Sequence, residues 1–516
     1  MFGYENKDAA TTLGSALLAG LSIWYLTTYL FSPLRRFPGP FLAGWTNLWR
    51  MFHVRQGNYQ VVIHELHKKY GPVVRIAPNV LDLDIPELVK TVYNTKADYL
   101  KTEFYHGSSA KSNGKIIYNL FSECKPEIHA QQKRPISKHY SMTGVLPLEP
   151  HIDEMIQYFC QRLEEKFIDG SNSTKTCDLG EWIAFYTWDV VGKATFSQPI
   201  GYLAKGYDFD KTLSIANVAM DYFSMVGQMP LLDHLLDKNP VYRIGPPSFG
   251  TITNISIQHL MDRLQNKDTD YHDPSKPDFL DKFIEAKEKF PDVVDDMQIV
   301  SYLMINMIAG ADTTGITLNA VLYFSLKHPR VWERLRAEIP AHDPTSGTTV
   351  VSYKSAKGFP YLDAVVREAM RCHPGVAMLL ERYVPEDGLI LPDGRFVPAG
   401  SVIGMNPYIL GRNTSVWGED AEVFRPERWL RDETRETEDA FQERLRSMNN
   451  ADLTFGGGSR ICIGKHLGLL EVYKVVATLV SHYNIKLAHP ERDWVTHNSF
   501  FVRQTGIEVK LTRRID

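Results

Sequence analysis

The longest apolar pattern in the chain runs from Asp295 to His328, closed by Pro329, and predicts one long helix. Its centre, Ser301 to Leu326, is almost uncharged, so a membrane span is one reading. Asn306, Asp312, Thr313, Thr314 and Asn319 stand mid-span, where polar groups are costly in lipid, and favour a helix buried in a large core. Helical spacing recurs at Glu149 to Lys166, Glu181 to Phe196, Leu362 to Cys372 and Lys465 to His482, the last through Leu469, Val472, Val476 and Leu479. From Val73 to Ile85, β-branched runs broken at Pro78-Asn79 predict paired strands, and Glu87 to Tyr93 then turns helical. Pro392-Asp393-Gly394 predicts a hairpin within Gly388 to Val402. Lys205 to Phe249 mixes helical stretches with proline and glycine and predicts a loosely packed cover over the core. The polar stretch Gln265 to Pro277, with Asp268, Asp270, His272 and Asp273, predicts a solvent loop. The fold class is therefore mainly α with a minor β portion, in one large domain without internal repeats.

A different pattern opens the chain. Thr12 to Phe31 carries no charge over 20 residues, which at about 1.5 Å per residue spans a hydrocarbon core of about 30 Å. Arg35 and Arg36 follow it, whereas Glu5 and Asp8 precede it, placing the remaining chain on the cytosolic side. A cleaved signal peptide would have a shorter apolar core, so residues 1–36 are expected to form an uncleaved anchor with its span at about 12–31. Phe37-Pro38-Gly39-Pro40 then forms a stiff extended hinge. Asn172, Asn254 and Asn413 begin N-x-Ser/Thr sequons, which a cytosolic domain leaves unmodified.

Composition narrows the function classes. Of 516 residues, 44% are hydrophobic and 23% charged, an ordinary globular balance. A net charge of −4 argues against nucleic acid as a partner. Five scattered cysteines (Cys124, Cys160, Cys177, Cys372, Cys462) form no disulfide framework and suit a reducing compartment.

The chemistry concentrates in Phe455-Gly456-Gly457-Gly458-Ser459-Arg460-Ile461-Cys462-Ile463-Gly464. Its glycines let backbone approach a flat ligand. Cys462 stands at the N-terminus of a predicted helix with Arg460 two residues before it, and both features favour a thiolate. A thiolate over a planar cofactor suits axial ligation of haem iron, where it favours O–O cleavage. Zinc would need more ligands than Cys462 and His466 supply.

The pattern Phe-x-x-Gly-x-Arg-x-Cys-x-Gly resembles the haem-binding loop of the cytochrome P450 superfamily, with Phe455, Gly458, Arg460, Cys462 and Gly464 at its fixed positions. The resemblance extends over residues 37–516, implying that fold for one haem catalytic domain preceded by one N-terminal transmembrane helix. Ala309-Gly310-Ala311-Asp312-Thr313-Thr314 looks like the family's oxygen-activation segment, so Thr313 would orient hydrogen bonding at the oxygen-binding face and Asp312 would relay protons. Glu368 and Arg371 share a helix face. With Arg428, in a segment resembling the family's Pro-Glu-Arg-aromatic motif, they would form a Glu-Arg-Arg cluster locking the loop under the haem. For the haem propionates the resemblance implies Arg460 and Arg382. His129 and Lys133 stand where the family has a Trp-x-x-x-Arg pair, a departure that still offers donors.

Resemblance also implies a substrate cavity lined from Glu103 to Phe121, Ile305 to Ala309, Val376 to Leu380 and Asn498 to Val502, made apolar by Met378, Leu379, Phe500 and Phe501. Tyr-Leu-Lys-Thr at 99–102 and Asp-Leu-Gly-Glu-Trp at 178–182 look most like fungal enzymes of the pisatin demethylase type. The implied reaction is insertion of one oxygen atom from O2 into an apolar small molecule, by hydroxylation, epoxidation or oxidative demethylation, in secondary metabolism. The cofactor is haem b with Cys462 as metal ligand. No dinucleotide fingerprint is visible, so electrons come from NADPH through a separate reductase docked on Lys133, Arg134, Lys138 and Lys465, with cytochrome b5 as a further candidate donor. The anchor then places the protein in the endoplasmic reticulum membrane. A haem-thiolate isomerase or dehydratase and a non-catalytic haem sensor are the alternatives.

Overall fold

The computed structural model describes residues 2–112, 114–170, 175–342 and 350–515; the sequon at Asn172 lies outside them. Helices dominate. Those that position the site are α1 (Phe2–Phe31), α2 (Pro126–Ser137), α3 (Leu179–Phe196), α4 (Thr212–Val226), α5 (Asp296–Lys327), α6 (Pro360–Cys372) and α7 (Lys465–His482). Each ends where its sequence requires. Asp295 caps α5 by accepting the Gln298 N–H at 2.7 Å, and Pro329 prevents its continuation. Gly464 precedes α7, and His373-Pro374 follows α6.

The core forms around α5, which packs along α3, α6 and α7. Ile183, Tyr186, Val190, Leu303, Met307, Leu318, Val365, Leu470 and Val476 are among its buried side chains. Among the described residues α5 is the helix long and apolar enough to cross a membrane, yet 56% of its most apolar window is buried inside the protein. That burial makes it a core helix. Polar Asn319 and Thr314 are buried here among protein groups instead of lipid.

Beside this helical core stands a four-stranded sheet built from β1 (Val73–Ala77), β2 (Val80–Leu83), β3 (Arg382–Tyr383) and β4 (Val402–Gly404), in the order β1-β2-β4-β3. β1 and β2 are antiparallel across the Pro78-Asn79 turn, and β2 runs parallel to β4. The sheet carries its own apolar cluster with Phe104, Tyr105, Phe223 and Phe500. A late hairpin, β5 (Val495–Ser499) with β6 (Phe501–Thr505), places Phe500 at its tip with φ +79°, a strained backbone for a bulky residue.

Two regions depart in part from expectation. The stretch 265–277 is a mainly exposed loop, as its composition predicts, but it is anchored at one point: Arg263 binds the buried Asp268, together with Asp278 and Asp281 just beyond the loop. Three carboxylates on one guanidinium clasp the loop to the helix Gly250–Leu264. Between 205 and 249 the helices α4 and Pro230–Leu235 are well formed, while the outer side of the stretch stays open, with Tyr207, Val218, Leu231, Leu235, Val241 and Tyr242 exposed. Asn413 caps a helical turn and its amide donates to Asp84 at 2.9 Å, whereas Asn254 is exposed.

Candidate active site

The loop before α7 is shaped by backbone, not side chains. Gly458 has φ +59°, and a Cβ there would stand 2.1 Å from the Asn94 carbonyl oxygen, so only glycine fits. The Cys462 N–H donates to the Phe455 carbonyl at 2.8 Å, closing the loop on itself. Cys462 is accessible on its surface, yet enclosure by surrounding protein is the largest influence on its thiol. Both hold because the sulfur faces an internal cavity.

The state of that thiol differs from the sequence expectation. The N–H groups of Gly464 and Lys465 at the start of α7, and nearby Lys133, do favour the thiolate. Burial outweighs them and pushes the thiol up. Arg460 does not contribute, because its guanidinium turns to the cavity edge and donates to the carbonyls of Glu123 (2.8 Å) and Cys124 (3.1 Å). Binding of a metal by this sulfur would therefore have to release the thiol proton.

Above the loop, Ile305, Ala309, Gly310, Asp312 and Thr313 are half-buried in the middle of an otherwise buried helix. The Thr313 hydroxyl donates to the Ala309 carbonyl at 2.8 Å, the back-bond that loosens a helix. Asp312 accepts the indole N–H of fully buried Trp188 at 3.1 Å. Burial raises its carboxyl to about 6, against the lowering effect of that hydrogen bond and of Arg503. A carboxyl near neutrality can both accept and release a proton. Nothing in the sequence marked Trp188 beyond its place on an apolar helix.

Behind the loop, Glu368, Arg371 and Arg428 meet and are almost completely buried. Arg371 binds both carboxylate oxygens of Glu368 at 2.7 and 2.9 Å, and Arg428 reaches one at 3.3 Å. The same carboxylate accepts the Trp429 indole (2.9 Å) and the Arg425 N–H (2.9 Å). Asp420, which the sequence reading omitted, binds Arg428 at 2.8 Å and balances the second guanidinium.

At the cavity edge the basic groups gather without such balance. Arg382 is buried, donates to the Glu381 carbonyl at 2.7 Å and lies over the Tyr93 ring. Lys133 points inward to the Ser459 carbonyl at 3.2 Å, so it belongs to the cavity and not to a docking face. His129 is buried and held neutral, pushed down to about 3 by burial and then by Arg460, Lys133 and Lys101. Lys101, noted in the sequence only within Tyr-Leu-Lys-Thr, joins this edge. Among the described residues Lys101, Lys133, Arg382 and Arg460 have no carboxylate within 4 Å. A cysteine facing a cavity and a ring of unmatched cations at its rim fit an iron porphyrin, whose metal takes the sulfur and whose two carboxylates take the cations.

Of the expected lining, Phe104, Tyr105, Phe121 and Phe500 interlock with one another and with Phe223, ring centroids 5.1–5.9 Å apart. Met378 and Leu379 are buried in the same cluster. Phe223, on α4, was not foreseen.

Comparison with known proteins agrees with this geometry. The family model for cytochrome P450 matches residues 38–511. The cytochrome P450 monooxygenase cfoH of Aspergillus candidus is 47% identical over 98% of this chain and 93% of its own. The cytochrome P450 monooxygenases cicH of Emericella nidulans (34% identical; 96% and 97%) and vrtE of Penicillium aethiopicum (32%; 97% and 94%) are also similar from end to end.

Glu368→Ala strands the buried Arg371 guanidinium and leaves Arg428 to Asp420 alone, so it should cost about 3–5 kcal/mol in denaturant unfolding and abolish haem incorporation; a soluble variant with normal haem content would contradict the cluster's role. Trp188→Phe removes the donor that favours the charged form of Asp312, so its carboxyl rises further. The inflection of the turnover–pH profile near 6 should move to higher pH in Trp188→Phe and vanish in Asp312→Asn.

Proposed function

The chain belongs to the cytochrome P450 family and is one of its monooxygenases, and we propose that it oxidises an apolar, aromatic-sized small molecule of fungal secondary metabolism with electrons delivered by a membrane-bound NADPH–cytochrome reductase. The observation that carries the reading is Cys462 in its glycine loop at the start of α7, the helix packed against α5 with its Asp312 and Thr313, beside a group of cations that have no carboxylate partner among the described residues. When bound, thiolate-ligated haem supplies activation of O2 and insertion of one oxygen atom, the other leaving as water.

This chain's residues do the rest. Cys462 holds the metal from the α7 side. Asp312 takes a proton from the solvent side and passes it toward the cavity, held in place by Trp188. Thr313 gives up its bond to Ala309 to orient the proton's path. Phe104, Phe121, Phe223 and Phe500 exclude water and hold the substrate by apolar contact, whichever of hydroxylation, epoxidation or demethylation follows. Arg134 and Lys138 remain exposed beside α2 and offer basic groups to the reductase; Lys138 pairs with Glu285 at 2.9 Å when free. Cytochrome b5 is a second donor for the same face.

We place the protein in the endoplasmic reticulum membrane through α1, with the catalytic domain cytosolic. Leu21, Ile23, Trp24, Leu26, Leu30 and Phe31 of α1 are exposed, and the contact with the body falls at its end, where Tyr29 stacks on Trp45 at 4.6 Å. A helix that displays apolar side chains from Leu21 to Phe31 suits lipid, not water.

Supplied with reductase, NADPH, 18O2 and a fungal metabolite extract, the protein should yield products that have gained one labelled oxygen or lost a methyl group by mass spectrometry; NADPH-independent conversion would refute the assignment. Deleting residues 2–28, which spares Tyr29, should release the protein from the membrane pellet while retaining the strongly red-shifted carbon monoxide band of thiolate ligation.

A further inference from the structure

The late hairpin carries two basic side chains that the mechanism leaves unused. His497 on β5 and Arg503 on β6 face each other across the ladder and bind the same carboxylate oxygen of Asp221 on α4, His497 at 3.0 Å. The seat of His497 is shaped for it, since Gly57 has φ +74° and a Cβ there would stand 2.2 Å from the imidazole. Against its own partial burial, Asp221 is held below the usual carboxylate range by the His497 hydrogen bond and the Arg503 charge.

The two sides of this clasp are unequally anchored. The hairpin is fixed to the body. The Asn498 N–H donates to the Gly57 carbonyl at 2.7 Å, its amide to Gln60 (2.9 Å) and the Ala377 carbonyl (2.8 Å), and the Val502 N–H to the Gly375 carbonyl at 3.1 Å. On α4, Tyr222 and Thr212 bond to Asp233 and Asp210, within the same cover of the cavity. Asp221 ties that cover to the hairpin by charge, two residues from Phe223, which packs on Phe500 at 5.3 Å. A displacement of α4 that opens the aromatic wall therefore also parts Asp221 from Arg503.

Arg503 acts inward as well. The adjacent Gln504 donates to the Ile316 carbonyl at 3.0 Å, one turn of α5 beyond Asp312, so β6 lies against the helix there. Burial is the largest influence on the Asp312 carboxyl and raises it; the Trp188 indole from α3 and then the charge of Arg503 lower it. The Arg503 Nε is buried without a partner among the described residues, so Asp221 is the anion that holds this guanidinium. One cation thus stands between two carboxyl groups, bonded to the one on the cavity wall and felt by the one on the proton path.

We propose that Arg503 is a positioning residue that couples closure of α4 over the substrate to proton transfer at Asp312. With α4 seated, Asp221 takes up the guanidinium charge and Asp312 can keep a proton. With α4 withdrawn, the charge acts on Asp312 unopposed and favours its carboxylate. The proton is then loaded only behind a closed wall, where water is excluded. The proposal rests on the role of Asp312 in the monooxygenase reading.

Full-length holoprotein is titrated by infrared difference spectroscopy, following the protonated carboxyl band that Asp312→Asn removes. That band belongs to carboxyl groups, so titration of His497 does not enter it. Arg503→Gln should move the midpoint up by about half a pH unit or more, Arg503→Lys should restore it, and Asp221→Asn should move it down. In the Arg503→Gln background, Asp221→Asn should add nothing. Amide hydrogen exchange over Thr212–Val226 should be several-fold faster in Asp221→Asn and Arg503→Gln than in the wild type. Asp221 sits at the surface, so its variant carries the test of sign even where Arg503→Gln fails to fold. Unchanged midpoints, or shifts of the same sign in the two single variants, would overturn the proposal. Faster exchange with an unmoved midpoint would make Arg503 a structural clasp and overturn it too. The titration needs no turnover, whereas the red-shifted carbon monoxide band tests thiolate ligation, so the coupling and the haem-thiolate reading fail separately.

Discussion

One carboxylate holds the catalytic half of the molecule in register. Glu368 is fully buried on α6 and accepts hydrogen bonds from Arg371, Arg428, Trp429 and the Arg425 backbone. The segment from 405 to 430 has little regular secondary structure, so its buried carbonyls need donors from elsewhere. Arg371 serves Gly411, Ala421 and Val423, and Arg428 serves Trp417 and Asp420. A guanidinium has five donors in a fixed plane, which is why lysine cannot substitute. Arg444 carries the constraint onward to the carbonyls of Arg428 and Leu430, and its helix leads directly into the Cys462 loop.

The rim of the cavity is built on the opposite principle. There Lys101 and Arg382 are buried and Lys133 and Arg460 half-buried, without carboxylate partners among the described residues, and burial pushes the Cys462 thiol up. Each is a cost in the chain alone. Together they fit the haem that the family implies, whose binding would then be linked to folding stability. Matched charge behind the loop sets its shape, and unmatched charge in front selects what it holds.

Much of this was legible in the sequence where a motif coincides with a local rule. The loop Phe455 to Gly464, the ends of α5 and α7 and the turn at Pro78-Asn79 follow from glycine, capping and proline chemistry within a few residues. Glu368 and Arg371 were readable as a helical pair. What stayed hidden are partners brought together by tertiary packing: Asp420 on Arg428, Phe223 against Phe500, Lys101 beside Arg382. The expected help of Arg460 to the thiolate failed for the same reason, since two residues of separation say nothing about where a long side chain turns. The Gln265 to Pro277 loop is exposed as its polar composition predicts, and only its anchor on Arg263 through Asp268 stayed hidden.

The proton path shows how packing sets chemistry. Trp188 and Val191 lie three residues apart on α3 and so share a face. Val191 meets α5 at Gly310, where an added Cβ would stand 3.1 Å away, and Trp188 meets it at Asp312. The two contacts hold α5 against α3 on either side of residue 311, within the stretch where Thr313 bonds the Ala309 carbonyl. An arginine at the Trp188 position would hold Asp312 ionised; a neutral indole donor fixes its place while leaving its carboxyl raised to about 6. Position and proton affinity are thereby set by one side chain that touches neither substrate nor cofactor.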